Sequence, residues 1–172
     1  PGECSRTARE CKRIGADVAM SATLIAIDPG MSGGVAWIRE GVAAACKMPP
    51  EDELNDLFFT LGPIRAVYME LVPWVLGMKI SPASVGKLHY NRGLCEGLVI
   101  GRGIRLVRAE PQVWQSKFHL GTRKAAGGYS QWKRKLKTEA ARRFPDLTVT
   151  LDTADALLIL EYAGGVEVGS AI

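Results

Sequence analysis

Two short apolar runs, far apart in the chain, each end in a carboxylate, and they constrain the fold more than any other feature. The first run is TLIAID (Thr23–Asp28) and the second is IRAVYME (Ile64–Glu70). Both have the length of buried strands, and the first is followed by a Pro-Gly turn signal. Because functional sites of open α/β sheets gather at the carboxyl ends of strands, Asp28 and Glu70 are expected at the functional edge of a sheet.

The surrounding pattern predicts an α/β domain. GVAWIR (34–39) and VAAACKM (42–48) predict two more strands joined by a turn, so the first three strands are expected to form an antiparallel meander. The later segments alternate between two patterns: helices at 51–61, 82–100, after 111, 130–144 and 152–163, and strands at 64–70 and 104–108. This succession predicts a mixed five-stranded sheet flanked by helices.

The chain has 172 residues, which is the length of one globular domain. Residues 1–21 are polar and weakly periodic, and we interpret them as a flexible leader, or as vector-derived sequence ahead of a native start at Met20. An organelle transit peptide is the alternative, although three acids in this segment count against it. Residues 22–172 are expected to form a single domain. Since no apolar stretch reaches the roughly 18 to 20 residues of a bilayer span, the sequence predicts no membrane segment.

Positive charge is concentrated in one part of the chain. Between Arg102 and Arg143 there are twelve basic residues and two acids, a net charge of +10, whereas the whole chain carries +4. The remainder therefore carries −6. A basic part beside an acidic part suits a surface that binds a polyanion next to a carboxylate site. For the basic run considered alone, a solvated helix face is the alternative.

A second pair of acids stands in LDTADALLIL, where Asp152 and Asp155 are predicted to open a helix. Their i, i+3 spacing would direct both side chains to one face of that helix. With Asp28 and Glu70 they make four carboxylates from three elements, and such a cluster needs a cation because each carboxylate hinders the ionisation of its neighbours. Oxygen ligands suit Mg²⁺ or Mn²⁺, and two such ions about 4 Å apart can activate a water and stabilise the leaving oxygen in phosphodiester hydrolysis.

Each of these acids also has a purely structural interpretation. Asp28 could only start a turn, Asp152 could be a helix N-cap, and Asp155 could be a first-turn acid favoured by the helix dipole. Glu70 is harder to explain in this way, because it ends an apolar strand and is followed by further apolar residues, where an unpaired charge is costly. All four structural interpretations would have to hold together for the site to be absent.

Three motifs in order give the chain a resemblance to a known family. IDPGMSGGVA, VYMELVP and DTADALLI, with the predicted helix SPASVGKLHYNRGLCEGLVI and strand IRLVRAEPQVWQ between the last two, resemble the RuvC-type Holliday junction resolvases of the ribonuclease H-like superfamily. The resemblance covers about residues 22–164. The WQSKFHLG and RRFPDL segments look most similar to the chloroplast resolvases and their phage and bacterial relatives.

The resemblance implies a ribonuclease H-like fold and a metal-dependent nuclease. Asp28, Glu70, Asp152 and Asp155 would be the catalytic residues and would bind two Mg²⁺ ions, for which Mn²⁺ would substitute. The enzyme would cut paired strands symmetrically at a four-way DNA junction. Its expected location is the nucleoid, in the cytoplasm or, for a plant source, in the plastid.

The resemblance also implies a homodimer with one active site for each cleaved strand. The glycines at i+4 spacing in the 82–100 helix, such as Gly93 and Gly97, would let this helix approach a neighbour closely, either within the domain or across a dimer axis. We expect the dimer interface near this helix. A branch-migration helicase would be a further partner, which the sequence does not identify.

Aromatic and basic side chains supply the candidate DNA contacts. Trp74 stands next to the position of the family's aromatic wedge, and Lys117 and Lys133 stand near the positions of its active-site lysines. Trp132 is predicted to be a surface contact, whereas Phe118 is predicted to pack in the core. The complete set of predicted DNA-binding residues is Trp74, Lys117, Arg123, Lys124, Trp132, Lys133, Arg134 and Lys137.

A protein without catalysis is the main alternative. The chain could be a junction-binding or RNA-processing member of the ribonuclease H-like superfamily that has lost its nuclease activity. The presence of all four acids favours an enzyme, because a neutral residue at any one of these positions would favour a binding module.

Overall fold

A five-stranded sheet lies at the centre of the computed structural model, which describes residues 22–73 and 81–169. Its strands are β1 (Thr23–Asp28), β2 (Gly34–Arg39), β3 (Val42–Lys47), β4 (Ile64–Glu70) and β5 (Leu106–Ala109). They lie in the order β3-β2-β1-β4-β5. β2 pairs antiparallel with β1 and with β3, whereas β4 runs parallel to β1 and to β5. The predicted mixed sheet with its antiparallel meander is confirmed.

The register of the two central strands explains why their ends meet. β1 is buried from Thr23 to Ile27 and apolar from Leu24 onward, as is typical of a strand that is covered on both faces. In the parallel pair formed with β4, Ile27 lies beside Met69. The next residue of β1 is Asp28 and the next residue of β4 is Glu70, so both carboxylates emerge at the same edge of the sheet.

Helices cover both faces of the sheet. Within the described residues they are α1 (Glu51–Thr60), α2 (Pro82–Gly101), α3 (Pro111–Ser116), α4 (Tyr129–Arg143) and α5 (Ala154–Gly169). Alternate side chains of a strand point to opposite faces. Ile25 and Ile27 of β1 accordingly share a buried cluster with α1 and α2, while Leu24 and Ala26 share another with α3, α4 and α5. The sheet therefore separates two apolar cores.

The beginning of α5 differs from the sequence prediction. α5 begins at Ala154, so Asp152 lies in the turn before the helix and does not open it. Two threonines build this turn: the main-chain N–H of Thr150 donates to Oγ1 of Thr153 at 3.0 Å, and the N–H of Thr153 donates to Oγ1 of Thr150 at 3.2 Å. The prediction that Asp152 opens the helix is therefore wrong, because the threonine pair places it in the turn before α5.

The C-terminal part of α5 is fixed to the sheet by one buried acid. Glu167 accepts a hydrogen bond from the hydroxyl of Tyr68 at 2.6 Å, and it forms ion pairs with Arg105 at 2.8 Å and Arg65 at 2.7 Å. The Tyr68 hydrogen bond and the two guanidinium charges hold the pKa of Glu167 below its usual value. The carboxylate is therefore ionised and paired although it is buried, as a buried charge must be.

Residues 1–21, 74–80 and 170–172 lie outside the described residues. The predicted leader and the predicted wedge residue Trp74 fall in these segments and stay predictions. Across 22–73 and 81–169, no helix is both long enough and apolar enough to cross a membrane.

Candidate metal centre

Three of the four predicted acids come together at the carboxyl edge of the sheet. Asp28 ends β1, Glu70 ends β4, and Asp155 lies in the first turn of α5. One carboxylate oxygen from each lies within 4.8 Å of the other two. The predicted convergence of these three side chains, which are distant in sequence, is confirmed.

The loop after Asp28 folds back over it and requires glycine. The main-chain N–H of Gly30 donates to Oδ1 of Asp28 at 3.2 Å, which orients the carboxylate. A Cβ atom at Gly33 would lie 2.2 Å from the carbonyl oxygen of Asp28, and a Cβ atom at Gly34 would lie 2.7 Å from that of Asp152. Only glycine allows these approaches, so the two glycines bring the start of β2 and the turn before α5 up against the site.

Lys133 of α4 is the cation beside the cluster. Its Nζ lies 2.5 Å from Oδ2 of Asp155 and 4.0 Å from Oδ2 of Asp28. Burial opposes the charge of Lys133, but the Asp155 and Asp28 carboxylates outweigh that effect and raise the pKa of the ammonium above its usual value. Lys133 is therefore a permanent positive charge within the site.

One lysine does not balance three carboxylates. Burial, followed by the charge of Asp155, raises the pKa of Asp28 to about 6. Burial, followed by the charges of Asp28 and Asp155, raises the pKa of Glu70 well above its usual value. Both shifts have the sign expected of an acidic cluster that lacks positive charge.

The donors of the cluster fit a divalent cation. Oδ1 of Asp155 is buried and has no hydrogen-bond partner among the described residues, although buried polar atoms are normally paired. A ligand set made of carboxylate oxygens suits Mg²⁺ or Mn²⁺. A cation bound by Asp28, Glu70 and Asp155 would satisfy the unpaired oxygen and remove the repulsion among the three acids.

Asp152 is not part of this group of three acids. It lies in the turn before α5, and its charge is the smallest of the influences that raise the pKa of Asp28. The structure thus brings together three of the four predicted acids, and the role of Asp152 as a fourth ligand stays a prediction.

An open cleft of about 750 Å³ lies over the three carboxylates. Its other walls carry basic and amide side chains, namely Lys87, Gln112, Gln115, Arg123 and Lys133. The cleft therefore has an acidic floor and a basic rim. Acidic and basic side chains that are far apart in the sequence line the same cleft.

Tyr129 is a residue of the cleft that the sequence analysis missed. Its ring is 56% exposed, and the guanidinium carbon of Arg123 lies 4.7 Å from the ring centroid. Lys133 Nζ lies 5.9 Å from the same centroid. An exposed ring between two cations, beside the acidic cluster, can stack on a base while the cations bind phosphate. The available signal was an aromatic residue directly after a Gly-Gly pair in the basic segment.

The predicted DNA-binding residues divide into two groups. Arg123 and Lys133 line the cleft, whereas the ammonium of Lys117 lies against the carbonyl oxygens of Glu161 and Tyr162 in α5, outside the residues that line it. Lys124 and Arg134 are exposed and Lys137 is half-buried, and these three are also absent from the cleft walls. Their contacts with DNA stay predictions.

The prediction that Trp132 is a surface contact is wrong. Trp132 is 6% exposed and belongs to the core shared by α3, α4 and α5. It also lines the wall of the cleft. Trp132, Leu136 and Ala140 are all buried and follow one another at i+4 spacing, so they form the inward stripe of α4. Phe118 is buried, as predicted.

Comparison with known proteins supports the fold. No family model matches the chain, and no curated protein sequence is significantly similar to it. Two solved structures of RuvC from Thermus thermophilus share its architecture. One, in complex with a Holliday junction substrate, gives a TM-score of 0.56 at 15% identity; the other gives 0.53 at 16%. Each match covers 86% of this chain and 96% of the other. The chain has a RuvC-like α/β fold of the ribonuclease H-like type.

Proposed function

We propose that the protein is a metal-dependent nuclease that resolves four-way DNA junctions. The observation that carries this proposal is the convergence of Asp28, Glu70 and Asp155 at the edge of a RuvC-like sheet, beneath a cleft with a basic rim. A structural relative binds a Holliday junction, which adds support for the substrate.

The residues of the site have different roles in hydrolysis. Asp28, Glu70 and Asp155 bind the metal, and Asp152 is the candidate for an additional ligand. Two divalent ions, when bound, would supply an activated water and stabilise the leaving oxygen. Arg123 and Lys133 bind the phosphates that flank the cleavage point, and Tyr129 stacks on an adjacent base.

Lys133 has two states in this proposal. Without a metal it neutralises part of the cluster through Asp155. When Asp155 is used as a metal ligand, the ammonium becomes available to a phosphate oxygen of the substrate. The Lys133 ammonium would thereby remain in the site and face the negative charge of the substrate phosphate.

The decisive experiment compares cleavage of a labelled four-way junction with Mg²⁺ and with EDTA. We expect symmetric paired nicks with Mg²⁺, no cleavage with EDTA, and little cleavage of a linear duplex of the same sequence. Tight junction binding without cleavage in either Mg²⁺ or Mn²⁺ would contradict the nuclease and support the non-catalytic alternative.

A homodimer follows from the need for two symmetric cuts. One face of α2 is exposed and carries small residues: a Cβ atom at Gly86, Gly93 or Gly97 would meet no other atom within 4 Å. Tyr90 and Ile100 are exposed on the same helix. This face allows two copies to approach closely around a two-fold axis.

Gly93→Arg is expected to convert the dimer into a monomer, because a long charged side chain would separate the two helices. Light scattering at micromolar concentration would measure the mass of each variant. Ala141→Arg, at an exposed position of α4, is the matched control and should remain a dimer. A wild-type protein that is monomeric both alone and with junction DNA would refute the dimer.

A further inference from the structure

Two buried polar side chains of α2 reach the main chain beside the metal centre. Asn91 is 8% exposed, and its Nδ2 donates to the carbonyl oxygen of Pro29 at 2.7 Å. Arg92 is 7% exposed, and its guanidinium donates to the carbonyl oxygen of Val72 at 3.1 Å. Pro29 directly follows Asp28, and Val72 comes shortly after Glu70.

Both contacts lie beyond the last residue pair that joins β1 to β4, where each strand is paired only with its outer neighbour. The paired residues of β1 and β4 end at Ile27 and Met69, one residue before the acids. Beyond that point the Asp28 and Glu70 carboxylates face each other, with one oxygen of each within 4.8 Å of the other. Asn91 and Arg92 are adjacent in one helix, so a single rigid element holds both chain segments that leave the sheet.

The orientation of Arg92 is itself fixed. Its Nε pairs with Oε1 of Glu96 at 3.0 Å, and Glu96 accepts two further hydrogen bonds from Arg108 in the last strand, at 3.1 and 3.0 Å. The guanidinium is thereby aimed at Val72 from both its own helix and the neighbouring strand. Because the side chain is already held in place, Arg92 loses less conformational entropy when it makes this contact.

We infer that Asn91 and Arg92 are positioning residues, which hold Asp28 and Glu70 at the separation that a divalent cation requires. This inference rests on the proposed metal centre and extends it to a helix that supplies no ligand. Hydrogen-bonded groups behind metal ligands set ligand orientation, and their loss costs about tenfold or more in metal affinity.

The test measures metal affinity directly, without DNA. Binding of Mn²⁺ is followed by electron paramagnetic resonance of the free ion, and the thermal midpoint of each variant is measured in the absence of metal. Asn91→Leu keeps the approximate size of the side chain but removes its donor. Thr23→Val is the matched control, because Thr23 Oγ1 also makes a buried hydrogen bond to a carbonyl, that of Leu61 at 2.8 Å, at the opposite end of β1.

We expect Asn91→Leu to weaken Mn²⁺ binding by about tenfold and Thr23→Val to leave it within about twofold, although both lower the thermal midpoint. Arg92→Met should weaken binding similarly, and Arg92→Lys should recover part of it because a donor is restored. These two variants decide the matter if Asn91→Leu does not fold.

Two results would overturn the inference: equal Mn²⁺ affinity of the Asn91, Arg92 and Thr23 variants, or no Mn²⁺ binding by the wild type. Failure of the proposed function looks different. A wild type that binds Mn²⁺ and loses affinity on Asn91→Leu, but does not cut junctions, would keep the positioning role and reject the resolvase.

Discussion

Asp155→Asn is expected to lower the rate of junction cleavage by about a thousandfold or more, while junction affinity stays within a few fold of the wild type. The amide keeps the size of the carboxylate but removes the charge and the metal-binding oxygen that is unpaired in the structure. Binding can even tighten, because the substitution reduces the repulsion between the cluster and the phosphates. Single-turnover cleavage and gel-shift titration on the same junction would measure the two effects separately.

The exposed acid Asp146 provides the control for this substitution. Asp146→Asn should affect neither quantity. Normal cutting with poor binding by Asp155→Asn would mean that the start of α5 is only structural and that the active site lies elsewhere. Asp152→Asn tests the remaining acid: a loss as large as that of Asp155→Asn would make Asp152 a metal ligand despite its place in the turn.

Without divalent ions, the protein is expected to lose stability as the pH rises from about 4 to about 7. The folded pKa of Asp28 is about 6, above the value of about 3.9 in an unfolded chain, so folding favours the protonated form. The corresponding stability is fully present below the unfolded pKa and is lost as the pH rises through about 6. Glu70 acts in the same direction. The Asp28 shift alone corresponds to about 3 kcal/mol.

Thermal midpoints measured in EDTA across this pH range would show the loss, and millimolar Mg²⁺ should restore stability at the alkaline end. Asp28→Asn removes one titrating group, so we expect it to raise the midpoint in EDTA at neutral pH and to weaken the response to Mg²⁺. A midpoint that does not change with pH and does not respond to Mg²⁺ would contradict the presence of an acidic metal centre.

The sequence alone predicts the sheet and most of the acidic cluster, because both depend on local pattern. Asp28 and Glu70 each end an apolar run, and parallel strands of similar length bring such residues to one edge. Asp155 follows from its place near the start of an apolar helix. These signals do not require knowledge of which elements touch.

The errors arise where a neighbouring interaction overrides the local pattern. The sequence pattern predicts that Asp152 opens the helix, because the mutual hydrogen bonds of Thr150 and Thr153 cannot be inferred from residue type alone. The polar neighbours Gln131 and Lys133 favour a surface position for Trp132, but the apolar i+4 spacing of α4 turns its side chain inward. The contact between Asn91 and Pro29 joins segments far apart in sequence, and no local pattern marks it.

The length of α5 is set at both of its ends, which makes this helix intolerant of insertions and deletions. Asp155 and Glu167 stand 12 residues apart, or about 18 Å along the helix axis. Since each residue turns an α-helix by about 100°, adding or removing one between them would rotate one acid away from its partners while the other stays in place. Between Asp155 and Glu167, α5 can therefore change in sequence but not in residue number.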